Sequence, residues 1–331
     1  MGIEENAVAG AEAREGGFLR SRAFAFVRIA ISLAVVAGLI YKLSPKDLLD
    51  TLRDADVPLL VAAFGLLMVS QLLVIAKWAT LLRARDVHVC PLLIARCYSI
   101  AIILSTVLPT AIGGDVYRIY RVQRQPGVRA GDVTMSVLFE RATGYFALTV
   151  FGALGAAFYY GELWVGFAAL AGGAIGGGLM LLVVRRMPFP ALRQDHMLRN
   201  LLAHRRELIV VYEMAIFSMV IQVFLISSIA LAGRAFGAHI GWGYWAFTTW
   251  VVSMAVLLPI TIGGLGVRES SYSVLVKHAG GNIAEGASTG FALALLQTLA
   301  CAVILGAVEV AERMGYAPRA AIEAQAAEAR G

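Results

Sequence analysis

Charge is scarce in this 331-residue chain: 15% of residues are Asp, Glu, Lys or Arg, 59% are hydrophobic, and the mean hydropathy is +0.76. A soluble domain with that balance would carry a largely apolar surface, so the soluble globular class is excluded. Cysteine is equally sparse. Cys90, Cys97 and Cys301 lie in or beside apolar runs without CxxC spacing, which reads as packing rather than redox or zinc chemistry. The five histidines are scattered with no HExxH-like pairing, so neither a metal nor a cofactor is expected. Asn-x-Ser/Thr does not occur, and no polar stretch is long enough to fold as a separate domain.

What the chain has is long apolar runs. Residues 24–41, 57–82, 133–160, 163–184, 208–232 and 287–311 are each long enough to cross a bilayer, and 92–108 and 244–258 are shorter. The two short runs end in the same words, about 150 residues apart: 108–118 reads LPTAIGGDVYR and 258–268 reads LPITIGGLGVR. Pro109 and Pro259 remove a backbone donor, the paired glycines loosen the chain, and Arg118 and Arg268 place a charge where lipid tolerates it poorly. Interrupted segments at matching positions of two halves are the sequence mark of a transporter's binding site.

The net charge of +6 sits in short loops, at Arg83 and Arg85, at Arg118, Arg121, Arg124 and Arg129, and through 185–206. Clusters so placed mark the cytosolic side of a membrane protein, and nucleic acid is not an expected partner. The polar stretch 1–23, with Arg14, Arg20 and Arg22 before the first run, predicts an uncleaved first helix with a cytosolic N-terminus. With the basic loops inside, 92–108 must turn back at its motif, since a full crossing would put four arginines outside. The same reasoning makes 244–258 a hairpin entering from the other face. The expected fold is therefore an all-α polytopic membrane protein, an inverted repeat of helix, helix, re-entrant hairpin and helix, with about six full spans plus two hairpins. Its parts are a tail at 1–23, repeats at 24–160 and 161–313, and a cytosolic tail at 314–331. Eight full spans, with the motifs as plain loops, is the alternative.

Gly113, Gly114, Gly263 and Gly264 permit tight turns and close approach of a ligand to backbone. Asp115 suits an N-cap for the first returning half-helix, and Glu269 lies in the first turn of the other. Free amides at such a terminus favour phosphate, and Arg118 and Arg268 supply guanidinium forks for it, with equal weight in the two halves. The competing reading makes them interfacial arginines reaching for water. Glu140 and Arg141 are ionisable residues inside an apolar run, on different helix faces, so they do not pair with each other. They serve either as coupling groups or as structural partners of a hairpin residue, Arg141 with Asp115 for example. Glu213 reads as interfacial. Gln71, Gln222 and Gln297 either line a polar cavity or bond between helices. The glycine run at 172–178 has small-xxx-small packing spacing and lacks the Lys-Ser/Thr of a phosphate loop.

PTAIGGDVYRIY, the FERATG stretch at 139–144 and PITIGGLGVRES together resemble the lysylphosphatidylglycerol synthase transmembrane family, from about residue 24 to 313. The resemblance implies a translocase for phospholipids or lipid-linked glycans in the cell membrane, with anionic lipid head groups and lipid-synthesis enzymes as partners. Only an Ala-rich polar tail follows Met314, so the aminoacylating activity in the family's name is not expected here. Two other functions stay open: a polyprenyl-phosphate-linked membrane transferase, and a non-transporting member of a lipid-synthesis complex. Lipid identity, direction, energy source and oligomeric state are not legible.

Overall fold

The computed structural model describes residues 53–107, 113–168, 170–172, 205–257, 264 and 266–316. The expected span 24–41, most of 163–184, nearly all of the glycine run 172–178 and the basic loop 185–206, the tail 1–23, the tail beyond 316, Pro109, Pro259 and Gly263 lie outside these residues. The described part is helical throughout its regular structure: α1 (Val57–Arg83), α2 (Pro91–Val107), α3 (Gly113–Gln123), α4 (Ala130–Tyr160), α5 (Arg205–Ala235), α6 (Trp242–Leu257), α7 (Val267–His278) and α8 (Ile283–Arg313). Four of these, α1, α4, the 212–235 part of α5, and α8, are long and apolar enough to cross a membrane.

Local chemistry sets the ends of the long helices. Asp56 caps α1, its carboxylate accepting the Leu59 N–H at 3.2 Å with Pro58 in the first turn, and the Asp56 N–H is bonded to Ala235 C=O at the far end of α5. Asn282 and Glu285 form a reciprocal capping box at the start of α8. Gly161, at φ 70°, closes α4 in the left-handed conformation that a residue with a Cβ rarely adopts.

The other helices are short. At 1.5 Å per residue the described parts of α2 and α6 reach about 25 Å and those of α3 and α7 about 17 Å, less than the ~30 Å hydrocarbon core. Each short pair packs against itself, α3 on α2 and α7 on α6. Gly114 makes the first pairing possible: a Cβ there would lie 2.2 Å from the Ala101 carbonyl oxygen of α2. Exchanging α1 with α5, α2 with α6, α3 with α7 and α4 with α8 turns every extensive helix contact into another one: α4·α6 becomes α8·α2, and α1·α8 becomes α5·α4. The α1·α5 contact, sealed by the Ser228 hydroxyl bonding Ala63 C=O at 2.7 Å, maps onto itself.

Two large apolar cores result among the described residues. One gathers Trp245, Tyr244, Tyr272 and Ile226 around α5, α6 and α7; the other gathers Trp78, Ile94, Cys97, Val122 and Val133 around α1 to α4. Cys97 and Cys301 are buried free thiols, as their apolar settings predict, and Glu213 is exposed near the start of α5.

Candidate functional site

Between the two cores lies a cavity of about 390 Å³ whose wall includes residues of α1, α2, α4, α5, α6, α7 and α8. Its polar groups project from helices that are otherwise apolar, which focuses the chemistry on a few side chains. Gln71, Gln222 and Gln297 all line it, and Gln222 also makes the interhelical bond that was the other reading, its Nε2 donating to Gly144 C=O of α4. Lys77, Glu140, Arg141 and Arg268 bring charge to the same wall.

Behind that wall stands an ion network. Arg118, on the buried face of α3, is 1% exposed and stacks over Trp78 with 4.9 Å between guanidinium and ring centroid. Its Nη1 donates to Glu140, while its Nε and Nη2 lie 3.0 and 2.9 Å from Asp115 Oδ1. Asp115 receives a second guanidinium: Arg141 Nη2 and Nε donate to Oδ1 and Oδ2 at 3.0 and 3.2 Å. Two arginines and two carboxylates thus neutralise one another where α3 meets α4. Glu140 and Arg141, adjacent in sequence, take different partners, and the expected Arg141–Asp115 pair is present. Asp115 differs from the expected cap. Because α3 begins at Gly113, Asp115 falls inside the first turn, and its oxygens bond arginines.

The second motif has different surroundings. Arg268 opens α7 and borders the cavity, and among the described residues its side chain makes no ion pair. Glu269 turns back to accept the Gly266 N–H at 2.6 Å, so it satisfies one of the free donors before α7 rather than facing the cavity. Gly264 (φ +75°) and Gly266 (φ +80°) hold left-handed backbone just before the helix. The structure therefore brings Arg268 to the cavity and keeps Arg118 behind it, joined to the same wall through Glu140.

Sequence reasoning passed over Lys77. It is 2% exposed, and its ammonium donates to Ser218 Oγ at 2.7 Å and to Glu140 C=O at 3.0 Å, both neutral acceptors. The signal was available, because Lys77 is the single ionisable residue in the apolar run 57–82. Trp78, which stacks on Arg118 and donates to Ser136 Oγ at 3.1 Å, was missed with it. Among the described residues no group of three His, Cys, Asp or Glu side chains is arranged to hold a metal ion.

Residues 25–306 match the family model described as the lysylphosphatidylglycerol synthase TM region. No curated protein and no solved structure matches the chain. The match covers most of the sequence, including both glycine motifs, the α4 ion pairs and every residue that lines the cavity. This multi-pass membrane protein belongs to the lysylphosphatidylglycerol synthase transmembrane family.

Proposed function

We propose that the protein is a lipid translocase that moves an anionic lipid across the cell membrane through the central cavity, with both termini in the cytosol. One observation carries the reading: a cavity inside an apolar helix bundle, bordered by Lys77, Arg141 and Arg268. Intramembrane cations line pathways or meet counter-charges, and a lipid phosphate is the anion a bilayer supplies. The exchange symmetry of the helix contacts and the half-length pairs α2/α3 and α6/α7 support an inverted repeat with two re-entrant hairpins, an architecture suited to alternating access. A transferase would need a free acid for a metal or base. Asp115 and Glu140 are held by arginines and Glu269 by the Gly266 amide.

The test is transbilayer movement of head-group-labelled lipids by the purified protein in liposomes, with product analysis. Movement without chemical change is expected. Conversion of the lipid makes the protein an enzyme, and neither movement nor conversion makes it a non-transporting partner. Orientation is tested by an impermeant thiol reagent on single cysteines: at Gln125 labelling is expected from the cytosol, and at His239, exposed beyond α5, from outside. External labelling at Gln125 removes the first hairpin.

A further inference from the structure

The charges and amides around the cavity say more about the head group than that it is anionic. Four cations, Lys77, Arg118, Arg141 and Arg268, meet two carboxylates, Asp115 and Glu140, and both carboxylates are committed to Arg118 and Arg141. Among the described residues Lys77 hydrogen-bonds to neutral acceptors alone, and Arg268 has no ion partner. A cationic head group would meet this surplus with no acid left to receive it. The amides add a second requirement. Gln71 and Gln222 are 5% and 7% exposed, both line the cavity, and the side-chain oxygen of each is buried without a hydrogen-bond partner. The Gln222 amide is oriented by its Nε2 donating to Gly144 C=O at 3.3 Å, which leaves its oxygen as the free acceptor. A buried acceptor without a donor is costly, and a ligand that supplies donors removes that cost.

Resting on the translocase reading, we propose that the cavity takes a phosphodiester whose head group carries hydroxyls, a glycerol or sugar phosphate. Lys77 and Arg268 take the phosphate, and the Gln71 and Gln222 oxygens accept from the hydroxyls. An aminoacylated, cationic lipid of the kind the family's name suggests is refused by the same groups.

The experiment is competitive lipid retention by the purified protein, measured by native mass spectrometry. The probes are phosphatidylglycerol, phosphatidic acid, lysyl-phosphatidylglycerol, phosphatidylcholine and soluble glycerol phosphate. Phosphatidylglycerol is expected to be enriched about tenfold or more over each of the other three lipids. Gln71→Met with Gln222→Met should abolish its advantage over phosphatidic acid while both stay ahead of phosphatidylcholine. Lys77→Met with Arg268→Gln should abolish the advantage of both. Melting curves of the variants identify any that fail to fold, and wild-type selectivity decides the question without them. Equal retention of phosphatidic acid, or retention of the lysyl lipid at or above phosphatidylglycerol, overturns the proposal even if liposomes show translocation. Glycerol phosphate bound as well as the lipid keeps the head-group chemistry and removes the lipid translocase instead.

Discussion

Arg118 and Arg268 stand at the same place in two copies of one motif, and their surroundings have little in common. Arg118 is enclosed by Trp78, Asp115 and Glu140, with Gly114 beside it pressed against the backbone of α2. Arg268 borders the cavity without an ion partner among the described residues, and its neighbour Glu269 caps α7. The difference traces to a few residues. Position 115 is Asp and position 265 is Leu, and α4 carries Glu140 and Arg141 mid-helix, whereas α8 has no Asp, Glu, Lys or Arg between 285 and 309. The halves share helix packing and divide the charge. One arginine ties α3 to α4 through Glu140, and the other borders the cavity with no ion pair among the described residues.

The sharpest test of that division is to remove each arginine in turn. Arg118→Gln strands Glu140 and leaves Asp115 with one cation in a buried site, a change that costs about 3–5 kcal/mol when a buried pair is broken. Low membrane abundance and a large fall in melting temperature in detergent are expected. Arg268→Gln strands no acid and should cost less than about 1 kcal/mol. It should instead slow lipid movement about tenfold, with Lys restoring part because it keeps charge without the planar fork. Equal stability losses at the two positions, or normal transport by Arg268→Gln at wild-type abundance, would erase the distinction.

A smaller effect separates the two symmetry-related seams, α4 on α6 and α8 on α2. The first is a close contact: a Cβ on Gly155 would lie 2.1 Å from the Gly243 carbonyl oxygen, and Tyr159 and Tyr244 meet beside it at a tilt, with centroids 4.2 Å apart. Gly155→Ala must push two helices apart and should cost about 1–3 kcal/mol, as overpacking does. Unchanged thermal stability in this variant would mean that the seam yields easily and that the helices there are free to slide.

Much of this was legible in the sequence. The class followed from hydropathy, and the helix boundaries from where apolar runs met Pro, Gly and charge. The long helices α1, α4 and α8 match the runs 57–82, 133–160 and 287–311 to within four residues at either end. The Arg141–Asp115 pair was among the readings because an intramembrane ion needs a counter-ion near it in the fold. Equal roles for the two arginines were expected because repetition of a motif reports backbone geometry, while the charge around each copy is set by other helices. Glu140 reaches Arg118 from 22 residues away, and no local pattern encodes that approach. Lys77 was overlooked for the opposite reason: one charge in a long apolar run leaves the hydropathy signal intact, and its partners Ser218 and Glu140 lie on distant segments.

The least costly change lies on the α2·α8 seam, where the contact is ionic and partly exposed. Arg96 Nη2 donates to Glu309 at 3.0 Å and Glu312 at 2.7 Å, and the three side chains are 29%, 49% and 29% exposed. Water and salt compete for such groups, and Glu309 also holds Arg313 at 3.1 Å, so it keeps a cation when Arg96 is gone. Arg96→Gln should therefore cost about 0.2–1 kcal/mol, less than Gly155→Ala on the related seam. A double-mutant cycle with Glu312→Gln isolates the pair, and its coupling should shrink as salt is raised. A coupling above about 2 kcal/mol that ignores salt would show a dry contact there, and the contrast between an ionic seam and a close-packed one would fall.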